Sequence, residues 1–281
     1  MSIAYRRLYD FFMSRRPNSR SAAPSHSGDR GPQRSGNAER SSRSGKPASG
    51  YWIYGHHAVE AALNNPDRTI LEFLATREAA SSFSQSLRAQ PQIVDRERLD
   101  RLCERDAVHQ GVCLRVEALE PPTIHEALEQ RPGPILVLDQ VTDPRNIGAI
   151  LRSAAAFGAC ALLVQDRNTP QESGAMAKAA SGALDLVPII REVNLSRALA
   201  TLQSQDVWVV GLDAGGSRLD GSSFGTRRVA LVLGAEGAGL RRLTRETCDE
   251  IASVYMPGNM ESLNVSNAAA VALYELARPQ N

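Results

Sequence analysis

Five polar residues stand in surroundings that leave them unexplained. Asn146 and Arg152 lie in an Ala-rich stretch, Glu236 among three glycines, and Ser262 and Asn264 just ahead of a second Ala-rich run. Together their types make a chemical set. Arginine is a permanent cation whose planar fork binds phosphate or a developing oxyanion. Asn and Ser carry donors and acceptors that orient a hydroxyl, and a lone carboxylate orients a cation or accepts from amides. Taken singly, each has a plainer role: Asn146 as a helix N-cap, Arg152 as a solvated face residue, Glu236 as the cap of a helix expected at 240–248. Ser262, Asn264, Ser266 and Asn267 offer more hydrogen-bonding capacity than one N-cap needs, and the surplus points to a ligand.

Three similar units position these groups. The apolar run 135–138, bounded by Pro134 and Asp139, predicts a buried strand. Thr142 to Asn146 supplies turn chemistry, and 147–157 predicts a helix stopped by Gly158. A strand–loop–helix unit sets its loop at the carboxyl edge of a parallel sheet, where ligands of open α/β folds bind. The second unit is a strand at 229–234 running into Ala235-Glu-Gly-Ala-Gly-Leu240, whose glycines allow close backbone approach. Its G-x-x-G-x-G spacing after a late strand is not the dinucleotide fingerprint, and no Walker A sequence exists. The third is a strand at 251–254, a polar loop at 256–267 and a helix ending near Ala277.

Ahead of these, a strand at 51–54, a helix at 55–63, a strand at 70–74, a helix at 78–90, a strand at 92–94, a helix at 95–105 and a strand at 111–116 predict a small α/β domain. His56, His57 and His109 have no carboxylate or cysteine at ligand spacing, which favours turn or surface roles and no metal. Two proline-rich stretches around a short helix at 124–129 mark a linker. Between the first and second units the pattern predicts a strand at 161–164, a helix at 170–180 and an edge strand at 187–190 containing Pro188. A helix at 196–203, a central strand at 207–212 and a flexible loop at 213–217 follow. The division is therefore 1–50 as a disordered basic tail, 51–118 as a first domain, 119–132 as linker and 133–281 as a second domain.

The 281 residues are 42% hydrophobic and 22% charged, ordinary for a globular chain. No apolar run approaches the ~18 residues needed to cross a membrane. Cys103, Cys113, Cys160 and Cys248 show no zinc spacing and fit reduced thiols in a cytosolic protein. The net charge of +1 conceals an asymmetry: residues 1–50 hold ten basic side chains against three acidic, which leaves −6 on the remainder. A basic tail on an acidic body points to a polyanion, with RNA first. An Arg- and Ser-rich start also fits a mitochondrial transit peptide, the alternative to a cytoplasmic RNA-tethering tail.

The segments Asp143-Pro-Arg-Asn-Ile-Gly-Ala-Ile-Leu-Arg152, Leu231-Val-Leu-Gly-Ala-Glu-Gly-Ala-Gly-Leu240 and Met256 to Tyr274 resemble, in order, the three motifs of the SpoU (TrmH) RNA 2′-O-methyltransferases. Tyr54-Gly-His-His-Ala-Val-Glu60, His109-Gln-Gly-Val112 and Asn194-Leu-Ser-Arg-Ala-Leu199 are similar to the RlmB-type subgroup, which methylates guanosine in large-subunit (23S) rRNA. The resemblance implies a trefoil-knotted (SPOUT, α/β-knot) domain behind a ribosomal-protein-like RNA-binding domain. It implies S-adenosylmethionine touched near Gly234, Val254 and Leu263, with Leu212 and Met256 beside them, and a homodimer with the site at the subunit interface. At Val254-Tyr-Met-Pro-Gly258 this chain departs from the family's usual Ile-Pro-Met-x-Gly.

The resemblance gives Arg152 the central role, with Asn146, Glu236, Ser262 and Asn264 orienting it and the ribose. A neutral guanidine at pH 7 lies roughly 9 kcal/mol above its charged form. Arg152 is therefore expected to act as a charged fork for phosphate and alkoxide rather than as a base. Three rival readings are a transfer-RNA methyltransferase, a non-catalytic RNA-binding ribosome-assembly protein, and a nicotinamide dehydrogenase. The absence of G-x-G-x-x-G after Leu138 disfavours the last.

Overall fold

The computed structural model describes residues 50–83, 88–105 and 107–278. The expected basic tail, but for Gly50, lies outside the described residues.

The first sheet has four strands: β1 (Tyr51–Tyr54), β2 (Ile70–Ala75), β3 (Gln92–Ile93) and β4 (Val112–Val116), in the order β1-β4-β2-β3. β4 is antiparallel to both β1 and β2, and β3 adds parallel to β2. Helices α1 (His56–Asn64), α2 (Arg77–Ala80) and α3 (Arg96–Leu102) connect them. α2 is much shorter than the helix expected at 78–90. The hydroxyls of Ser81 and Ser82 take the carbonyls of Glu78 and Ala79, at 2.7 Å each, and so satisfy groups that a further turn would have used.

His109 departs from its expected surface role. It is buried, its Nδ1 accepts from the Gly111 N–H at 3.0 Å and its Nε2 lies 2.8 Å from Asp100 Oδ1. A ring nitrogen that accepts from a backbone amide leaves the proton on Nε2, which donates to the carboxylate. The residue does form a turn, since Gln110 and Gly111 both have positive φ.

After a loop, the Thr123/Glu126 capping box opens α4 (Ile124–Gln130). The second sheet is parallel throughout, in the order β10-β8-β9-β5-β6-β7. Its strands are β5 (Ile135–Leu138), β6 (Ala161–Gln165), β7 (Ile189–Glu192), β8 (Val207–Arg218), β9 (Arg228–Leu233) and β10 (Glu250–Ser253). The interior strands read as continuous apolar runs because both faces are covered, here by α5 (Pro144–Ala156), α6 (Gly174–Ala180), α7 (Leu195–Gln203), α8 (Arg242–Thr247) and α9 (Val265–Ala277).

β7 is an edge strand, as Pro188 foretells. The loop expected at 213–217 is instead the second half of β8. That strand jumps register against β10, so that Ile251 faces Gly211 while Ala252 faces Ser217. β8 is next to the edge rather than at the middle of the sheet. α6 begins at Gly174, four residues later than expected, where the Ser173 hydroxyl accepts from Met176 N. One contiguous buried cluster contains Ile53, Val59 and Leu114 of the first sheet's layer together with Leu136, Ile150, Leu162 and Met176 of the second.

Candidate active site

In a parallel sheet every carboxyl end lies on one edge. Leu138, Leu233 and Leu212 share one register row across β5, β9 and β8. The chain proceeds from β5 outward through β6 to β7, then crosses to β8, so the connections diverge between β5 and β9. This is the switch point at which open α/β sheets form their crevice. The loops following Leu138 and Leu233 flank it.

At the β5 end, Asp143 closes α5 by accepting from Arg145 N at 2.9 Å, with Pro144 at the first helical position. Asn146 is therefore not the N-cap, and its amide is free for other work. At the β9 end, the chain doubles back in a narrow loop with Gly239 N donating to Ala235 O at 3.0 Å. A Cβ on Gly234 would stand 2.2 Å from the Gly239 carbonyl, so no other residue fits this crossing without moving backbone. Buried Asp139 pins the far side of the loop: it accepts from Arg241 Nε at 2.6 Å and Arg241 N at 3.1 Å. Asp139 had served only as a strand boundary in the sequence. A charged residue directly ending an Ile-Leu-Val-Leu run was the signal for it.

Glu236 projects from that loop, and its Oε1 is the meeting point of the three motifs. It accepts from Asn264 Nδ2 at 2.7 Å, from Val265 N at 3.3 Å and from Asn146 Nδ2 at 3.4 Å. Asn264 Nδ2 also donates to Asn146 Oδ1 at 3.1 Å. The carboxylate thus sits at the N-terminus of α9, where its charge is favoured, and not at α8, which Arg241 opens. Asn264 is the N-cap of α9; its Oδ1 accepts from Ser266 N at 2.9 Å and from the Ser266 hydroxyl at 2.6 Å. Capping therefore absorbs Ser266, whereas the donors of Asn264 and Asn146 remain to shape the pocket.

Two expected residues are not drawn into this cluster. Arg152 lies six residues beyond Asn146 on α5, about 9 Å farther along the axis. It is exposed and has no hydrogen-bond or ion-pair partner among the described residues. Ser262 is exposed in the loop before α9 and is likewise unpaired among the described residues.

Of the residues expected to meet a cofactor, Leu212, Gly234 and Val254 lie at the adjoining ends of the β8, β9 and β10 pairings, and Met256 and Leu263 lie in the loop that follows. That loop exposes Tyr255 (63%), Met260 (73%) and Leu263 (36%). Apolar surface on a short loop beside the sheet edge is a feature shared with ligand-binding grooves. A backbone edge beside apolar side chains suits a purine and the alkyl arms of a sulfonium, so the residues present fit S-adenosylmethionine. Among the described residues, no three His, Cys, Asp or Glu side chains gather at metal-ligand spacing.

Comparisons with known proteins agree with this geometry. Residues 133–274 match the SpoU rRNA Methylase family, and residues 52–122 match the RNA 2′-O ribose methyltransferase substrate binding domain. The chain is 41% identical over 238 residues to the 23S rRNA (guanosine-2′-O-)-methyltransferase RlmB of Pasteurella multocida, covering 80% of this chain and 97% of that one. It is 39% identical over 242 residues to the RlmB of Escherichia coli K12, covering 82% and 98%. The fold is shared with the SpoU methyltransferase AviRb from Streptomyces viridochromogenes in complex with AdoMet, at a TM-score of 0.69 and 24% identity over 82% of this chain and 90% of that one. With three ordered motifs meeting at one sheet edge and a family match over both halves, the chain belongs to the SpoU rRNA methylase family.

Proposed function

We propose that this chain is an S-adenosylmethionine-dependent methyltransferase that modifies the ribose 2′-hydroxyl of a guanosine in 23S rRNA. The observation that carries the reading is the convergence of Asn146, Glu236 and Asn264 on one carboxylate oxygen at the switch point. The curated relatives that share the full length of the match are named for this reaction.

S-adenosylmethionine, when bound, supplies an electrophilic methyl group on a sulfonium. The backbone at Gly234 and Val254 and the side chains of Leu212, Met256 and Leu263 would hold it. The protein's own task is to hold the 2′-hydroxyl in line and to exclude water, which supplies most of the rate in such reactions. Glu236 fixes the two amides; Asn264 is fully engaged, and the remaining N–H and lone pair of Asn146 orient the ribose. Arg152 stabilises the alkoxide and the adjacent phosphate as a charged fork, with the proton passing to phosphate or water. Ser262 lines the same loop.

Arg152 is exposed on α5, and on α9, which packs against α5, Val271 (44%) and Tyr274 (55%) present apolar surface, Tyr274 packing edge-on to Phe157. Both facts support a homodimer in which this face is buried and Arg152 meets the partner's pocket. Doubling back of the chain after β9, with Glu236 tied to the start of α9, supports a trefoil knot formed by the loop at 234–241 and the last loop. Residues 51–118 serve as the RNA-binding domain, 119–132 as the linker and 133–281 as the knotted domain. The reading carries a cytoplasmic location, where 23S rRNA is made; among the described residues no helix is long and apolar enough to cross a membrane.

The test is methyl transfer from labelled S-adenosylmethionine to unmodified 23S rRNA and, in parallel, to unmodified transfer RNA. Labelling at one guanosine of the 23S rRNA is expected. Labelling of transfer RNA alone, or RNA binding with no transfer to either, overturns the reading.

A further inference from the structure

A buried ionic contact joins the two sheets, and nothing in methyl transfer requires it. Arg68, in the turn before β2, has a side chain with no solvent exposure. Its Nε donates to Asp185 Oδ1 at 2.8 Å, and its Nη1 donates to Glu172 Oε2 at 2.7 Å and to the Glu117 carbonyl at 3.0 Å. Asn65 Nδ2 donates to the same Asp185 oxygen at 3.0 Å, and the Tyr51 hydroxyl donates to Glu172. Arg68, Asn65 and Tyr51 belong to the first sheet's layer. Glu172 and Asp185 bracket α6 in the second. One guanidinium therefore joins an acid just ahead of α6 to one in the 3₁₀ turn Ala183–Asp185 that follows it, which fixes angle as well as distance.

The seam around this contact is closely fitted. Lys178 Nζ donates to Gln110 Oε1 at 2.7 Å, and Glu104 Oε1 accepts from Ala175 N at 3.3 Å. A Cβ on Gly174 would lie 2.4 Å from the Tyr54 ring and 2.6 Å from the Trp52 carbonyl. The default for two domains joined by a linker is relative motion unless their interface is large and apolar. Here the apolar cluster is continuous, and the ionic fork selects one orientation within it. Buried ion pairs add little stability over an apolar replacement, but they can specify geometry.

We propose that Arg68, with Glu172 and Asp185, is a positioning latch. It holds the four-stranded sheet at one fixed angle to its own parallel sheet, so that RNA gripped by the first is presented at the Glu236 rim without a swinging arm. The latch is a matter of geometry; its effect on RNA rests on the function proposed above.

The experiment compares the full-length protein with Arg68→Lys, Arg68→Gln, and a triple variant, Arg68→Gln with Glu172→Gln and Asp185→Asn, which leaves no bare charge. Hydrogen exchange, S-adenosylmethionine binding, and KM and kcat on an rRNA fragment are read for each. The triple variant provides a folded comparison if Arg68→Gln does not fold. In Arg68→Lys and the triple variant, exchange across residues 65–75 and 172–185 is expected to rise at least ~10-fold while β5 and β9 stay protected. KM for RNA is expected to rise about 10-fold with kcat and cofactor affinity within about 2-fold of the parent. Unchanged exchange at the seam, or a fall in kcat at constant KM, overturns the proposal. Seam exchange and cofactor binding do not depend on methyl transfer, so a protein that opens on loss of Arg68 but methylates no rRNA would refute the function and leave the latch standing.

Discussion

Replacing Glu236 separates the pocket's role from the helix cap's. Glu236→Ala removes the 2.7 Å bond from Asn264 and the weaker ones at 3.3 and 3.4 Å. The residue is exposed, so the charge-assisted bonds and the helix-dipole contact together contribute about 1–2 kcal/mol to stability. That is a fall in Tm of roughly 2–8 °C for a chain of this size. Catalysis stands to lose more. With no carboxylate between them, Asn146 keeps only its bond from Asn264 and can shift, and a misplacement near 1 Å costs on the order of 100-fold in rate. Glu236→Gln keeps an acceptor of the same shape but halves the bond strength, so its loss is expected near ~10-fold. The assay is kcat/KM on rRNA at saturating S-adenosylmethionine, with melting curves on the same preparations. Turnover within about 3-fold of the parent in both variants would refute the reasoning, as would activity that falls only in step with the folded fraction.

Gly234→Ala places a methyl group against the Gly239 carbonyl and is expected to weaken S-adenosylmethionine at least ~10-fold by calorimetry; unchanged affinity removes this crossing from the cofactor site. If Arg152 acts across a dimer, mixing inactive Arg152→Ala with inactive Glu236→Ala restores about a quarter of parental activity, since half the dimers then hold one intact site. No recovery after mixing places both residues in one subunit's pocket. Val271→Glu with Tyr274→Glu charges the exposed face of α9 and is expected to halve the mass in sedimentation; an unaltered mass moves the dimer interface elsewhere.

Much of this was legible in the sequence because it is local. Ile135 to Leu138 and Val229 to Leu233 read as strands from their apolar runs, and the surplus of polar groups around Asn264 singled out the loop that meets Glu236. What escaped depended on which of several available partners each side chain takes, near or far along the chain. Asn146 looked like a cap until Asp143 proved to hold that position. Glu236 suited capping the helix after it as well as orienting a functional group, and only the tertiary fold ties it to α9. Ser81 and Ser82 gave no sign that their hydroxyls would end α2. Arg68 and Asp185 are separated by 117 residues, and an ion pair at that distance leaves no periodicity to detect.

Asn264 does two jobs with the two ends of one amide. Its oxygen closes the first turn of α9, and its nitrogen anchors Glu236. Winding the terminal helix and anchoring Glu236 are consequently a single event, and no other common cap can replace it. Aspartate would keep the oxygen but set a second negative charge against Glu236, and serine would reach only one of the two neighbours. Any drift at this position must therefore loosen Glu236 from the three-motif junction, even when the helix survives it.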